Sequence, residues 1–351
     1  MTVVRKEGLE PTCLSALEPK SSASTNSATF AVVELYPKTH APPAGGRGPR
    51  DRYNPKNSIA SAIPLPVDHY ENFPVASWLL PARLRPPVEA IYAFARGADD
   101  IADEGDLSDA ARLRGLERYG RALDAIEAGD TPTEAPFARL AAAVRDYALP
   151  IPLLRDLIDA FSQDVVKKRY ATFDELQDYA RRSANPVGRL LLHLFENQGR
   201  KPGTGSPFAG AKGEPVPGFR FSREQSDLVC SALQYVNFWQ DVGIDWAKGR
   251  VYIPQEDLER FGVSEKQIAE ERADDRWRAL MAFECERART MLVAGKPLGR
   301  ALPGRIGLEI RATIEGGLAI ADRITAASGD VFRRRPTLGT LDWARIILSA
   351  I

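Results

Sequence analysis

An all-α fold, a single helical bundle enclosing a central cavity, is what this sequence predicts, and three observations carry the prediction. From Pro66 onward apolar residues recur at the spacing of helix faces, and strand-like alternation is nearly absent. One long interruption, about residues 199–221, is rich in Gly and Pro and reads as an exposed loop, and one domain fits better than two. Two acid-rich segments about 140 residues apart set carboxylates among Phe94, Ile101, Val236, Phe238, Trp239, Val242, Ile244 and Trp246. Flanks this apolar suit the polar lining of a mostly buried cavity better than an open helix surface.

Taken in order, the first 60 residues show no hydrophobic periodicity. Ser21-Ser22-Ala23-Ser24-Thr25-Asn26-Ser27 and the Pro-, Gly- and Arg-rich stretch at 41–50 have the composition of disorder. Residues 1–60 are therefore expected to be a disordered extension and residues 61–351 the helical domain. No continuous apolar core follows a basic start, so a signal peptide is not expected, and no apolar run approaches the roughly 20 residues of a membrane-spanning helix. Pro87-Val88-Glu89-Ala90-Ile91-Tyr92-Ala93-Phe94-Ala95 places Val88, Ile91, Tyr92 and Ala95 on one helix face, with proline at the start. Ser108 or Asp109 supplies an N-cap for the next helix. Further helices are expected at about 134–148, 151–164, 173–198, 222–247, 264–294 and 305–328. Pro186 removes an i→i−4 hydrogen bond inside the 173–198 stretch and bends it.

The chain has 351 residues, with 47 basic and 47 acidic side chains. A balanced charge gives no support for nucleic acid as a partner. Cys13, Cys230 and Cys285 are widely spaced, which argues against a disulfide framework or zinc site and fits a reducing cytoplasm; Cys230 and Cys285 read as helix-packing residues. Three histidines, His40, His69 and His193, have no metal-ligand spacing, and His193, inside an apolar run, reads as a core histidine.

The acid-rich segments carry the chemistry. Residues four apart lie on one helix face, so Asp99 and Asp103 form one stripe of oxygens and Asp241 and Asp245 another, extended by Asn237. Burying such like charges is costly unless something positive is bound. Mg²⁺ takes hard oxygen ligands and bridges carboxylates to substrate phosphate oxygens, so two facing stripes read as a diphosphate clamp. For either stripe alone, a solvated acidic helix face is the other reading.

Asp99-Asp100-Ile101-Ala102-Asp103 and Asn237-x-x-Gln240-Asp241-x-x-x-Asp245, with Lys248-Gly249-Arg250-Val251-Tyr252-Ile253-Pro254 after the second, resemble the head-to-head prenyl synthases, the squalene and phytoene synthase family. The resemblance covers about residues 66–328. It implies an isoprenoid synthase-type helical fold, two or three Mg²⁺ ions on the aspartate stripes, and ionisation of allylic or cyclopropylcarbinyl diphosphates. The segments at 69–77 and 179–188 are most similar to the hydroxysqualene synthase branch, which takes presqualene diphosphate, releases diphosphate and adds water. Relatives that condense two prenyl diphosphates carry Tyr-x-Tyr before a Val-Ala-Gly-x-Val-Gly stretch; here Tyr179 remains, Arg181 holds the second tyrosine position, and Asn185-Pro186 replaces the small residues. That tyrosine is tied in the family to the first condensation.

On this resemblance Asp99, Asp103, Asp241 and Asp245 would hold Mg²⁺, with Asp100, Glu104, Asn237 and Gln240 as secondary ligands or orienters. Arg96, Gln240, Lys248, Arg250 and Tyr252 are substrate-binding candidates, as are His69, Asn72 and Phe73 near the amino end. For Arg96 an intrahelical pair with Asp99 or Asp100 stays open, for Arg250 a surface salt bridge, and for His69 a helix cap. Lys167-Lys168-Arg169-Tyr170 either faces the site or is solvated surface. Tyr179, Arg181, Arg182, Ser183 and Asn185 are the catalytic candidates, polar groups to position the water that quenches the cation; Tyr179 reads equally as a structural phenol. Phe73, Tyr92, Phe94, Phe238 and Trp239 either shield the cation or pack the core. Arg311 either completes the cavity or pairs with Glu309 or Glu315.

The expected reaction is presqualene diphosphate plus water to hydroxysqualene and diphosphate, without NADPH. The alternatives are a head-to-head prenyltransferase giving presqualene diphosphate, squalene or phytoene, and an inactive lipid-binding subunit. Partner enzymes would be a presqualene diphosphate synthase and a hydroxysqualene-reducing enzyme. A water-insoluble substrate implies peripheral contact with the inner membrane from the cytoplasmic side, although no distinct amphipathic anchor stands out.

Overall fold

Helix α7 (Arg223–Gln240) organises the molecule: every residue from Ser231 to Gln240 is buried. A helix buried on all sides lies inside a bundle rather than on its surface. The computed structural model describes residues 80–197 and 223–350. The expectations for residues 1–60, His69, Asn72, Phe73 and the 199–221 loop lie outside the described residues.

Before α7 come a 3-10 turn (Ala82–Leu84), α1 (Arg85–Asp103), α2 (Asp109–Glu127), α3 (Ala135–Tyr147), α4 (Ile151–Val166), α5 (Phe173–Ser183) and α6 (Asn185–Glu196). After it come α8 (Val242–Ala247), α9 (Gln255–Phe261), α10 (Glu265–Ala269), α11 (Asp275–Gly295), α12 (Pro297–Ala301), α13 (Gly304–Ala326) and α14 (Thr340–Ala350). The described residues contain no strand; Arg169 and Val251 form one isolated parallel bridge.

Local chemistry explains the boundaries. Ser108 caps α2 by accepting from the Ala111 N–H, and Thr172 caps α5 by accepting from the Glu175 N–H. The expected 173–198 helix is two helices. The chain breaks at Ala184, and Pro186 occupies the first turn of α6, where its missing N–H costs nothing. The expected 222–247 helix also breaks, at Asp241 (φ −108°, ψ 15°), so the second stripe straddles the α7–α8 junction. Its spacing survives, because the Asp241 N–H donates to the Asn237 carbonyl and the Asp245 N–H to the Asp241 carbonyl, both at 2.9 Å. Helix α14 and the short helices α9 and α12 were not anticipated.

Two apolar cores form. One joins α1–α4 and the buried side of α6 around Leu84, Phe94, Leu123 and Phe161; the other joins α5, α7, α11 and α13 around Trp239, Trp277, Leu280 and Ile320. Ile310 on α13 packs against both. The acid stripes sit at the C-terminal ends of α1 and α7.

Candidate active site

The end of α1 carries the first stripe. Asp99 is fully buried, and Arg96 on the same helix reaches both Asp99 (3.3 Å) and Asp100 (2.8 Å). The intrahelical pairing left open from the sequence is thus present, in a buried setting. Asp103 is reached from across the fold: Arg250 Nη2 lies 2.6 Å from its Oδ1, and Lys248 Nζ stands 4.0 Å from Asp103 and 3.8 Å from Glu104. Arg250 is itself buried, and its backbone N–H donates to the Asp245 carbonyl at 2.8 Å. One residue therefore holds the two stripes together, and the surface-bridge reading of Arg250 falls away.

The second stripe is equally buried: Asn237, Asp241 and Asp245 are each at most 2% exposed. Arg335 binds Asp241 through two hydrogen bonds, Nε to Oδ1 at 2.5 Å and Nη2 to Oδ2 at 3.1 Å. Burial raises the Asp241 carboxyl, and Arg335 opposes that rise. The Gln240 side-chain amide donates to the Pro336 carbonyl.

Beside Arg250 lies a cluster that the sequence reading missed. Asp164, at the end of α4, is fully buried. It accepts from the Tyr179 hydroxyl at 2.5 Å and from the Tyr252 hydroxyl at 3.4 Å, while its backbone carbonyl accepts from Lys168 at 2.6 Å and from Arg250 at 3.3 Å. Tyr252 stacks on Phe238 with centroids 3.8 Å apart, and Tyr170 stacks on Tyr252 at 5.8 Å. Burial first, then the Asp164 charge, lifts the Tyr179 and Tyr252 phenols well above their ordinary value, so both serve as neutral donors. Of the basic group at 167–169, Lys168 faces this cluster, whereas Lys167 pairs with Glu175 and Arg169 with Glu265.

A second feature is an apolar chamber bounded by α6, α7, α12 and α13. Val187, Gly188, Leu191 and Phe195 line it from α6, and Ser226, Val229, Cys230 and Leu233 from α7. Leu233 precedes Asn237 by one helical turn, so α7 runs from the chamber to the acid stripe. Gly188 sets the approach of α6 to α7: a Cβ there would stand 2.5 Å from Cys230 Sγ and 2.5 Å from Ser226 Oγ. Among the lining residues only Glu309 carries a carboxyl. It is 6% exposed, and its Oε2 is buried without a hydrogen bond. Burial alone lifts this carboxyl to about 8.

The other residues singled out from the sequence have the following surroundings. Arg181 is half exposed and bonds to Asp178 (3.1 and 2.8 Å), so it is not brought to the buried cluster. Arg182 is held between Asp178 (3.0 Å) and Gln163 (2.6 Å). Ser183 donates to Gln234 and the Tyr179 carbonyl, and Asn185 accepts from Ser231 at 2.8 Å; both join helices. Phe94 packs with Tyr119 and Phe137 in the first core, the core-packing reading of the two left open. Arg311 completes no cavity and pairs with neither glutamate; it donates to the Gly299 and Ala350 carbonyls. Cys230 lines the chamber, while His193 bonds to the Tyr147 carbonyl as a structural histidine. Asp164, Arg335 and Glu309 were overlooked. The basic runs beside Asp164 and through Arg333-Arg334-Arg335 were the available signals for the first two.

The donor set suits a hard divalent cation in kind. Asp99, Asp103, Asp241 and Asp245 present buried carboxylates, and Asn237 Oδ1 is buried with no hydrogen bond. Six carboxylates, including Asp100 and Glu104, share the site with four cationic side chains, Arg96, Lys248, Arg250 and Arg335, which leaves two negative charges in excess. Such an excess in a buried site favours bound positive charge. In the present conformation arginines occupy Asp103 and Asp241, and no three acidic, histidine or cysteine side chains among the described residues converge on one metal position.

Comparison with known proteins agrees with this geometry. The family model described as squalene/phytoene synthase matches residues 67–342. A hydroxysqualene synthase of Rhodopseudomonas palustris is 34% identical over 256 residues, covering 72% of this chain and 78% of that protein. A 15-cis-phytoene synthase of Synechocystis is 32% identical over 274 residues, covering 78% of each. Squalene synthase HpnC from Alicyclobacillus acidocaldarius, a solved structure, is 34% identical and superposes with a TM-score of 0.63, covering 74% of this chain and 90% of that one. A dehydrosqualene synthase structure, at 20% identity, shares the fold with a TM-score of 0.64 over 78% of this chain and 87% of that one.

Proposed function

This chain belongs to the squalene/phytoene synthase family, and from that membership we propose that it converts presqualene diphosphate and water to hydroxysqualene and diphosphate. The coarser part, ionisation of a prenyl diphosphate, is supported by a buried acid-and-arginine cluster at one end of α7 and an apolar chamber along the rest of that helix. A polar head and a long apolar chain need those two environments side by side.

Mg²⁺, when bound, neutralises charge developing on the leaving diphosphate. Asp99, Asp103, Asp241, Asp245 and Asn237 would hold it, with Asp100 and Glu104 at the rim. Arg250, Lys248 and Arg335, which pair with these carboxylates, would supply charge-assisted hydrogen bonds to the diphosphate oxygens. Tyr179 and Tyr252, neutral and tied to Asp164, fix the wall behind Arg250.

The finer assignment rests on the resemblance of the 179–188 segment to the hydroxysqualene synthase branch. The Tyr-x-Tyr that the resemblance ties to condensing relatives is incomplete here: Tyr179 remains, and Arg181 and Arg182 both bond to Asp178. A chain without the second phenol is suited to a substrate already condensed. The similarity to a phytoene synthase, at 32% identity, favours head-to-head condensation as the second reading. On the first reading an enzyme that joins two farnesyl diphosphates must supply the substrate and a reductase must consume the alcohol. Purified protein with Mg²⁺ separates the two. Diphosphate should be released from presqualene diphosphate and not from farnesyl diphosphate alone; a condensation product from farnesyl or geranylgeranyl diphosphate would overturn the assignment.

A further inference from the structure

The proposed reaction needs a group that holds a water inside an apolar chamber and takes its proton. The residues expected from the sequence to do this are spoken for: Arg181 and Arg182 bond to Asp178, Ser183 to Gln234, and Asn185 to Ser231. The chamber itself supplies another. Ile306, Glu309, Ile310 and Thr313 recur at the spacing of one α13 face, and that face lines the cavity. Of these, Glu309 alone carries an ionisable group.

Three observations single it out. Its side chain is 6% exposed, Oε2 is buried without a hydrogen bond, and it lines the apolar cavity. A buried carboxyl without a partner costs stability, and such a cost in a ligand chamber points to a ligand. No charged side chain stands near enough to perturb it, since burial is the sole influence on its carboxyl. Arg311 on the same helix is bound to the Gly299 and Ala350 carbonyls, Lys296 beside α12 is paired with Glu315, and the Arg189–Asp227 pair joins α6 to α7. Cys230 is the other titratable group in the wall.

We propose that Glu309 holds the water that captures the carbocation and accepts its proton. This rests on the hydroxysqualene reading given above. Loss of diphosphate leaves a cationic carbon. A lone pair of the water oxygen forms the C–O bond, and one proton of the resulting oxonium passes to the Glu309 carboxylate, leaving a neutral alcohol and a carboxylic acid. That acid returns its proton to solvent when the product leaves. With its carboxyl near 8, Glu309 has both protonation states within reach around neutrality, and a cation in the chamber favours the ionised one.

The test compares full-length wild type with Glu309→Gln and Glu309→Leu, supplied with presqualene diphosphate and Mg²⁺ in oxygen-18 water. The readout is the ratio of labelled alcohol to diphosphate released, which a purely structural residue would not move. The proposal expects this ratio to fall by about tenfold or more in both variants, with eliminated or rearranged hydrocarbon making up the balance, and melting temperatures equal to or above wild type. An unchanged ratio overturns the role of Glu309 while leaving the reaction intact. Failure of both variants to fold would mark the carboxyl as structural and also overturn it. Wild-type product free of label would instead overturn the reaction assignment and the proposal with it.

Discussion

Arg250 stands between the two acid stripes: its guanidinium binds Asp103 and its backbone N–H binds the Asp245 carbonyl. With every carboxylate of the stripes buried, charge rather than shape is what these residues provide. Asp99→Asn and Asp241→Asn are each expected to lower turnover on the order of 100-fold or more while preserving the helical circular dichroism signal. Near wild-type diphosphate release at saturating Mg²⁺ would contradict this. Glu309 gives a pH dependence. Its carboxyl is raised from 4.5 to about 8, so the native chain keeps a proton that the unfolded chain releases. The group's contribution to stability is therefore full below about pH 4.5 and is lost as pH rises to about 8, amounting to a few kcal/mol. Glu284, also lifted to about 8, chiefly by burial, acts the same way. Glu309→Gln should flatten the fall of melting temperature across that window; a slope equal to wild type would refute the burial argument. The stripes were legible because four-residue spacing and apolar flanks can be read directly from the chain. Asp164, Arg335 and Glu309 were not, because each owes its place to a neighbour from a distant segment.

Helix α7 shows what the elements contribute. Its buried length links the chamber at Ser226–Leu233 to the stripe at Asn237, and α6 leans on it through Gly188. Gly188→Val would drive a side chain into Cys230 and Ser226. It is expected to destabilise the fold by about 1–3 kcal/mol, at roughly 2–4 °C of melting temperature per kcal/mol, and to weaken substrate binding by filling the chamber. Unaltered melting and KM would show that α6 can shift without cost. The break between α5 and α6 was half legible: Pro186 announced an interruption, and the structure places it two residues earlier, at Ala184. The break at Asp241 had only Gly243, two residues on, as a signal. It forms where Arg335 and the Pro336 carbonyl, both from beyond α13, engage Asp241 and Gln240. Helix α14 was passed over because an 11-residue amphipathic segment after a basic loop is a weak periodic signal.

Across the whole molecule, two cores meet along α6, α7 and α13, and the chamber lies in that seam. Helical periodicity and the lack of strand alternation were enough to read the all-α class. The division into two cores was hidden, because periodicity reports which face of a helix is buried and not the helix that buries it. Among the described residues no helix is long and apolar enough to cross a membrane. The central claim is that this chain ionises presqualene diphosphate at the acid stripes and lets water, not hydride, end the reaction. The most direct measurement is product analysis with purified presqualene diphosphate in oxygen-18 water, with and without NADPH. The account expects a labelled alcohol in equal yield under both conditions. Squalene formed only when NADPH is supplied, with no label in any product, would contradict it.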